Sequence, residues 1–171
     1  MILICYDGSD DAKWAIEQAG ELLGCQPAAV VTVWQRFAEV LAGTPLGFGM
    51  VPGVLDIGKA DEASRQAALA LAEDGAELAR EAGFNAQARA CTQLATTAHA
   101  ILAEAELLSA KAIVMGSRGL SGLKSILLGS VSTAVLHGAD RTVIVVPSPE
   151  VAGSRSRTRY EAETAQQRLT Q

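Results

Sequence analysis

The stretch 112-AIVMGSRGLSGLKSILLGSV-131 decides how the rest of the chain is read. Ala112, Ile113, Val114 and Met115 form a continuous apolar run the length of a buried strand, and Gly116 stops it. Glycines recur at 119 and 122, and Gly129-Ser130 then opens a segment in which Val131, Val135 and Leu136 fall at helical spacing. Strand, glycine-rich loop and hydroxyl at a helix start together present backbone N–H groups to an anion.

Working outward, Ile2 to Tyr6 reads as a strand that is apolar on both faces, hence central in a sheet, and it runs into Asp7-Gly8-Ser9. Ser9 suits a helix N-cap, and Asp10 and Asp11 sit where the helix dipole favours carboxylates. Ala12, Ala15, Ile16, Ala19, Leu22 and Leu23 mark one helical stripe, closed by Gly24. Ala28 to Trp34 is a second buried strand, so the chain opens β-α-β with a parallel pair. From 36 to 58 the periodicity breaks down among Gly43, Pro45, Gly47, Gly49, Pro52, Gly53 and Gly58, as in a surface loop or lid. Gly53 to Lys59 copies the first seven positions of a phosphate-binding P-loop, but Ala60 stands where the metal-binding hydroxyl is required and no strand precedes it.

Lys59 to Gly83 reads as a long alanine-rich helix with Ala63, Ala67, Ala70, Leu71, Leu78 and Ala82 available to the core. Phe84 to Cys91 alternates as a half-exposed strand. Thr96 or Thr97 caps the next helix, with Ala98, Ile101, Leu102 and Ala105 inward. After the central stretch, a last strand runs from Thr142 to Val146 and stops at Pro147. The succession β-α-β-α-β-α-β-α-β predicts a single doubly wound α/β layer sandwich over residues 1–147. Residues 148–171 carry four arginines and little apolar pattern, as a loosely ordered tail or a separately solvated helix.

Composition agrees with helices on a sheet: of 171 residues, 49% are hydrophobic and only 4% aromatic, so the core is aliphatic and alanine-rich. The net charge of −5 argues against a general nucleic-acid binder. Cys5, Cys25 and Cys91 lack metal-site spacing and read as reduced thiols of a cytoplasmic protein. The acidic start MILICYDGSDD is not expected to be a signal peptide, and no apolar run approaches the roughly 20 residues of a membrane span.

In such sheets ligands bind beyond the carboxyl ends of the strands, where strand order reverses. There Asp7 would meet Gly116 to Ser130. A carboxylate after the first strand suits ribose hydroxyls, and glycines let phosphate approach the main chain. With Asp7-Gly8-Ser9, Val114-Met-Gly-Ser-Arg-Gly119 and Gly129-Ser130, the chain resembles the universal stress protein family over roughly residues 1–147. It matches in full the G-x2-G-x9-G-[ST] pattern of that family's ATP-binding branch, at Gly116, Gly119, Gly129 and Ser130. The resemblance implies an adenine nucleotide alpha hydrolase-like fold, with a five-stranded parallel sheet in the order 3-2-1-4-5.

It further implies that Asp7 meets the ribose and adenine edge, that Val33 packs on adenine, and that the backbone of Met115 and Gly116 lies beside the sugar. Gly119, Gly129, Ser130 and Val131 then form the phosphate-binding segment, while Ser117 and Arg118, inside the loop, are assigned no role toward phosphate by the resemblance. Cys5 belongs to the same site and departs from the family, which often has proline two residues before the aspartate. The implied cofactor is ATP, with or without Mg²⁺. The implied assembly is a homodimer through Thr142 to Val146, an apolar edge that would otherwise invite aggregation.

Three functions stay open at this level. A regulatory ATP-binding dimer of the stress response is favoured by the intact motif. A slow ATPase or self-phosphorylating enzyme, modified on Ser130 or a neighbouring hydroxyl, would use the same site, yet the sequence offers no evident base: His99 and His137 read as surface or helix-packing residues. A purely structural dimer with no nucleotide would be expected to lack the glycines.

Overall fold

The structure, a computed structural model, describes residues 1–42, 56–120, 128–153 and 156. Its sheet is built from β1 (Ile2–Cys5), β2 (Pro27–Trp34), β3 (Asn85–Thr92), β4 (Ala112–Gly116) and β5 (Thr142–Val146), all parallel, in the order β3-β2-β1-β4-β5. This is the doubly wound sandwich that the sequence predicts, and the last strand has the predicted bounds.

Ahead of β5 the described helices are α1 (Asp10–Leu23), α2 (Phe37–Ala42), α3 (Ile57–Glu81), α4 (Thr97–Leu107) and α5 (Ser130–Gly138). Side-chain alternation along the strands divides the core. Ile2, Ile4, Val30 and Val114 face α1 and α3, whereas Leu3, Val31, Ile113 and Met115 face α4 and α5. Both faces of β1 are therefore buried, the physical reason for its unbroken apolarity. Local signals set the helix starts: the Ser9 side chain accepts from the Ala12 amide, Asp56 from Lys59 and Thr96 from His99. Between β1 and α1, Gly8 adopts φ +81°, a conformation that disfavours other residues.

Three sequence expectations need correction. The segment 36–58 is not uniformly irregular: Phe37–Ala42 is helical, held to α3 by the Phe37 amide donating to Asp61 (2.6 Å), and α3 already includes Ile57 and Gly58. The near P-loop falls partly outside the described residues (53–55), and its Lys59 stands in the first turn of α3, 3.3 Å from Asp56. The inward stripe of α3 is also rotated: Ala68, Ala72, Gly75, Ala76 and Ala79 are buried, while Ala63, Ala67 and Ala70 are exposed and Leu71, Leu78 and Ala82 only pack on the margin. Leu22 of α1 and Leu136 of α5 point to solvent rather than inward.

Beyond β5 the chain is helical over 149–153, with Ser148 and Val151 buried, so the segment after Pro147 begins by packing on the domain. Most of the tail from 154 onward, together with 121–127 inside the glycine-rich stretch, lies outside the described residues.

Candidate functional site

The chain runs from β1 outward to β3 on one side and from β4 to β5 on the other, so strand order reverses between β1 and β4. The neighbouring strands β1 and β4 diverge into different connections there, which leaves a crevice at their carboxyl ends. A cavity of about 230 Å³ occupies that crevice. All nine residues singled out in the sequence line it: Cys5, Asp7, Val33, Met115, Gly116, Gly119, Gly129, Ser130 and Val131. Thr32, Thr97 and Ile101 are among the lining residues that the sequence did not mark, the last two supplied by α4. Their signal is topological: a helix after β3 must cover the same face as Val31 and Met115, and so brings its first turn to the crevice.

Asp7 is fixed at one end of its carboxylate. Oδ1 accepts the Ser9 amide at 3.0 Å, the only hydrogen bond to Asp7 among the described residues. Ser9, not Asp7, caps α1. The other oxygen faces the glycine loop so closely that a Cβ at Gly119 would lie 2.6 Å from Oδ2. A side chain at 119 would therefore push the Asp7 carboxylate out of this position. Gly116 has a different cause: a Cβ there would stand 2.9 Å from the Asp11 backbone, so its absence lets α1 pack against β4.

The polar groups of the floor are already satisfied. The Thr32 hydroxyl donates to the Tyr6 carbonyl at 2.9 Å. The Ser132 hydroxyl lies 3.1 Å from the Ser117 carbonyl and 3.0 Å from that of Gly129. The Gly129 amide donates to the Ser117 carbonyl at 2.7 Å, which locks the start of α5 to the end of β4. The first amides of α5 beyond it have no intrahelical acceptor and carry the positive end of the helix dipole. Beside them stands the exposed hydroxyl of Ser130. The cavity therefore offers a ligand one carboxylate oxygen, a helix N-terminus with a hydroxyl, and apolar walls.

Burial pushes the Cys5 thiol far up, with Cys91 and Asp7 adding to the effect, and burial pushes Cys91 up to about 11. Both are therefore neutral thiols near pH 7, not nucleophiles. His99 and His137 are exposed on α4 and α5 and are not among the lining residues. Among the described residues no cluster of His, Cys, Asp or Glu has the arrangement of a metal site, and no helix is long and apolar enough to cross a membrane.

Fold and cleft together define an α/β protein of the doubly wound class with a cavity at its switch point. The universal stress protein family model matches residues 1–147. The chain is 33% identical over 146 residues to universal stress protein YxiE of Bacillus subtilis, covering 85% of this chain and 97% of that protein. Among solved structures it is similar to protein MJ0577 (23% identity, TM-score 0.65, 85% of this chain and 94% of that one). It is also similar to a universal stress protein solved in complex with cAMP (25% identity, TM-score 0.55, 85% and 94% covered). The chain belongs to the universal stress protein family.

Proposed function

We propose that this universal stress protein binds an adenine nucleotide, ATP in the first instance, in the switch-point cavity, and serves as a homodimeric regulatory protein of the cytoplasmic stress response. The observation that carries the reading is the convergence of two distant segments on one cavity: Asp7 from the β1 turn, and Gly119, Gly129 and Ser130 from the β4–α5 connection. The chemistry of the donor set fits. Asp7 Oδ2 can accept from a ribose hydroxyl, Val33 and Met115 offer apolar surface to a base, and the α5 N-terminus with Ser130 favours phosphate. A cavity of about 230 Å³ is below the roughly 300–1,000 Å³ of drug-sized sites, so base and sugar would fill it and phosphates would lie along its rim. Mg²⁺ accompanying ATP would be carried mainly by the phosphates and water. Relatedness to a protein solved with cAMP supports an adenine ligand and makes cAMP the competitor to test.

Denaturing the purified protein and analysing the released small molecules by mass spectrometry, followed by calorimetric titration with ATP and cAMP with and without Mg²⁺, tests this directly. Bound or titratable adenine nucleotide is expected, and Gly129→Val is expected to abolish it while the circular dichroism spectrum is kept. A Cβ there would meet the Ser117 carbonyl at 3.3 Å and the Ser132 hydroxyl at 3.4 Å, so a branched side chain would push the start of α5 off the end of β4 and displace the amides that face the phosphate. Unchanged affinity in that variant would refute the placement of the phosphates, and no affinity for any adenine nucleotide in the parent would refute the function.

A further inference from the structure

Arg118 lies between two glycines of the loop, yet its guanidinium is turned away toward the segment that follows β5. Nη2 donates to the Ser148 hydroxyl at 2.7 Å and stands 3.7 Å from the Glu150 carboxylate, while Nε is 3.4 Å from Asp11. Arg118 is 11% exposed, and Ser148 and Val151 are buried, so one side chain of the glycine loop anchors the start of the C-terminal segment. Arg118, Gly119 and Leu120 also form the wall shared by the nucleotide cavity and a second recess, lined by Ser9 and Asp11 on one side and by Ser148 and Glu150 on the other.

The strengths of these contacts are unequal. Charge-assisted N–H···O bonds run about 2.7–2.9 Å. Both carboxylate contacts of Arg118 are longer, and the Glu150 side chain is 73% exposed, where solvent screens the pair. The one short bond goes to a neutral hydroxyl. Arg118 is also the only cation among the described residues that line the cavity. A phosphate group at the rim would offer it a bidentate anionic partner, which guanidinium groups prefer over a single hydroxyl.

We propose that Arg118 couples occupation of the phosphate end of the cavity to release of the segment 148–153: phosphate draws the guanidinium from Ser148, Glu150 and Asp11, and the segment loses its polar anchor. The coupling rests on the adenine-nucleotide reading above. It predicts a difference between ligands that share a base and sugar, because adenosine carries no phosphate to draw the Arg118 guanidinium.

Hydrogen exchange of the full chain, read with ATP, with adenosine and without ligand, tests it alongside calorimetry of both ligands. The Ala152 amide, bonded to the Ser148 carbonyl at 2.9 Å, reports the segment. ATP is expected to speed exchange over 148–153 several-fold and adenosine to leave it unchanged. In Arg118→Gln the segment should exchange fast without ligand and gain nothing from ATP. Ser148→Ala keeps the arginine but removes its short bond, and should bind ATP several-fold more tightly with adenosine affinity unchanged, a result that a merely structural serine would not give. ATP that binds while 148–153 exchanges at its unliganded rate or slower would overturn the coupling and leave the nucleotide site standing. Binding of neither ligand would overturn both.

Discussion

Asp7 and Gly119 form one unit, and each predicts the other's phenotype. Because Ser9 caps α1, replacing Asp7 by alanine costs the turn a single hydrogen bond and leaves the helix start intact. Asp7→Ala should weaken ATP binding by about 1–3 kcal/mol, the range for a lost charged partner, and should reduce the preference for ATP over dATP. Gly119→Ala should do much the same although the carboxylate remains, since its Cβ would displace Oδ2. Calorimetry with the two nucleotides reads both variants, and an undiminished ribose preference in Asp7→Ala would make that residue a turn former only. Asp7 was legible in the sequence because a carboxylate directly after a buried strand is a local signal. The reason for Gly116 was not, because the atoms that exclude its Cβ belong to Asp11, which folding alone brings near.

At the level of elements, strands were easier to read than helix faces. The core of β1, β2 and β4 stands out because a buried strand is apolar throughout, and β5, though only half-buried, because its apolar run ends abruptly at Pro147. In α3 alanine occupies both faces, so apolarity carries no contrast and a stripe displaced by one residue looks equally good on paper. The six-residue α2 is shorter than two helical turns and leaves no period to detect. What fixes the rotation of α3 is contact: a Cβ at Gly75 would lie 2.6 Å from the ring of the buried Tyr6 and 3.0 Å from Val30. Gly75→Ala would gain about 1 kcal/mol of helix propensity, but overpacking costs about 1–3 kcal/mol. A net loss of up to about 2 kcal/mol in urea unfolding is therefore expected, and a more stable variant would show that Tyr6 yields.

The whole molecule has two sheet edges, and they are guarded differently. β3 shows solvent the polar residues Asn85 and Gln87, with Arg89 tied to Glu104 of α4, a pattern that discourages another strand from pairing. β5 is Thr-Val-Ile-Val-Val with no charge at all, and Val143, Ile144 and Val145 are only half-buried. An apolar edge of that kind calls for a partner, which supports pairing of two copies through β5. Backbone direction makes the idea testable. The Ser117 amide donates to the Val146 carbonyl, so in a parallel ladder Thr142, Ile144 and Val146 direct their main-chain groups at β4, and Val143 and Val145 direct theirs outward. Val145→Pro therefore removes an N–H that β4 does not use, at a position where an edge strand tolerates proline. Sedimentation equilibrium should give twice the chain mass for the parent and the single-chain mass for the variant, with the circular dichroism spectrum unchanged. A parent that sediments as a single chain at tens of micromolar would refute the dimer, while a variant that still sediments as a pair would move the interface away from β5.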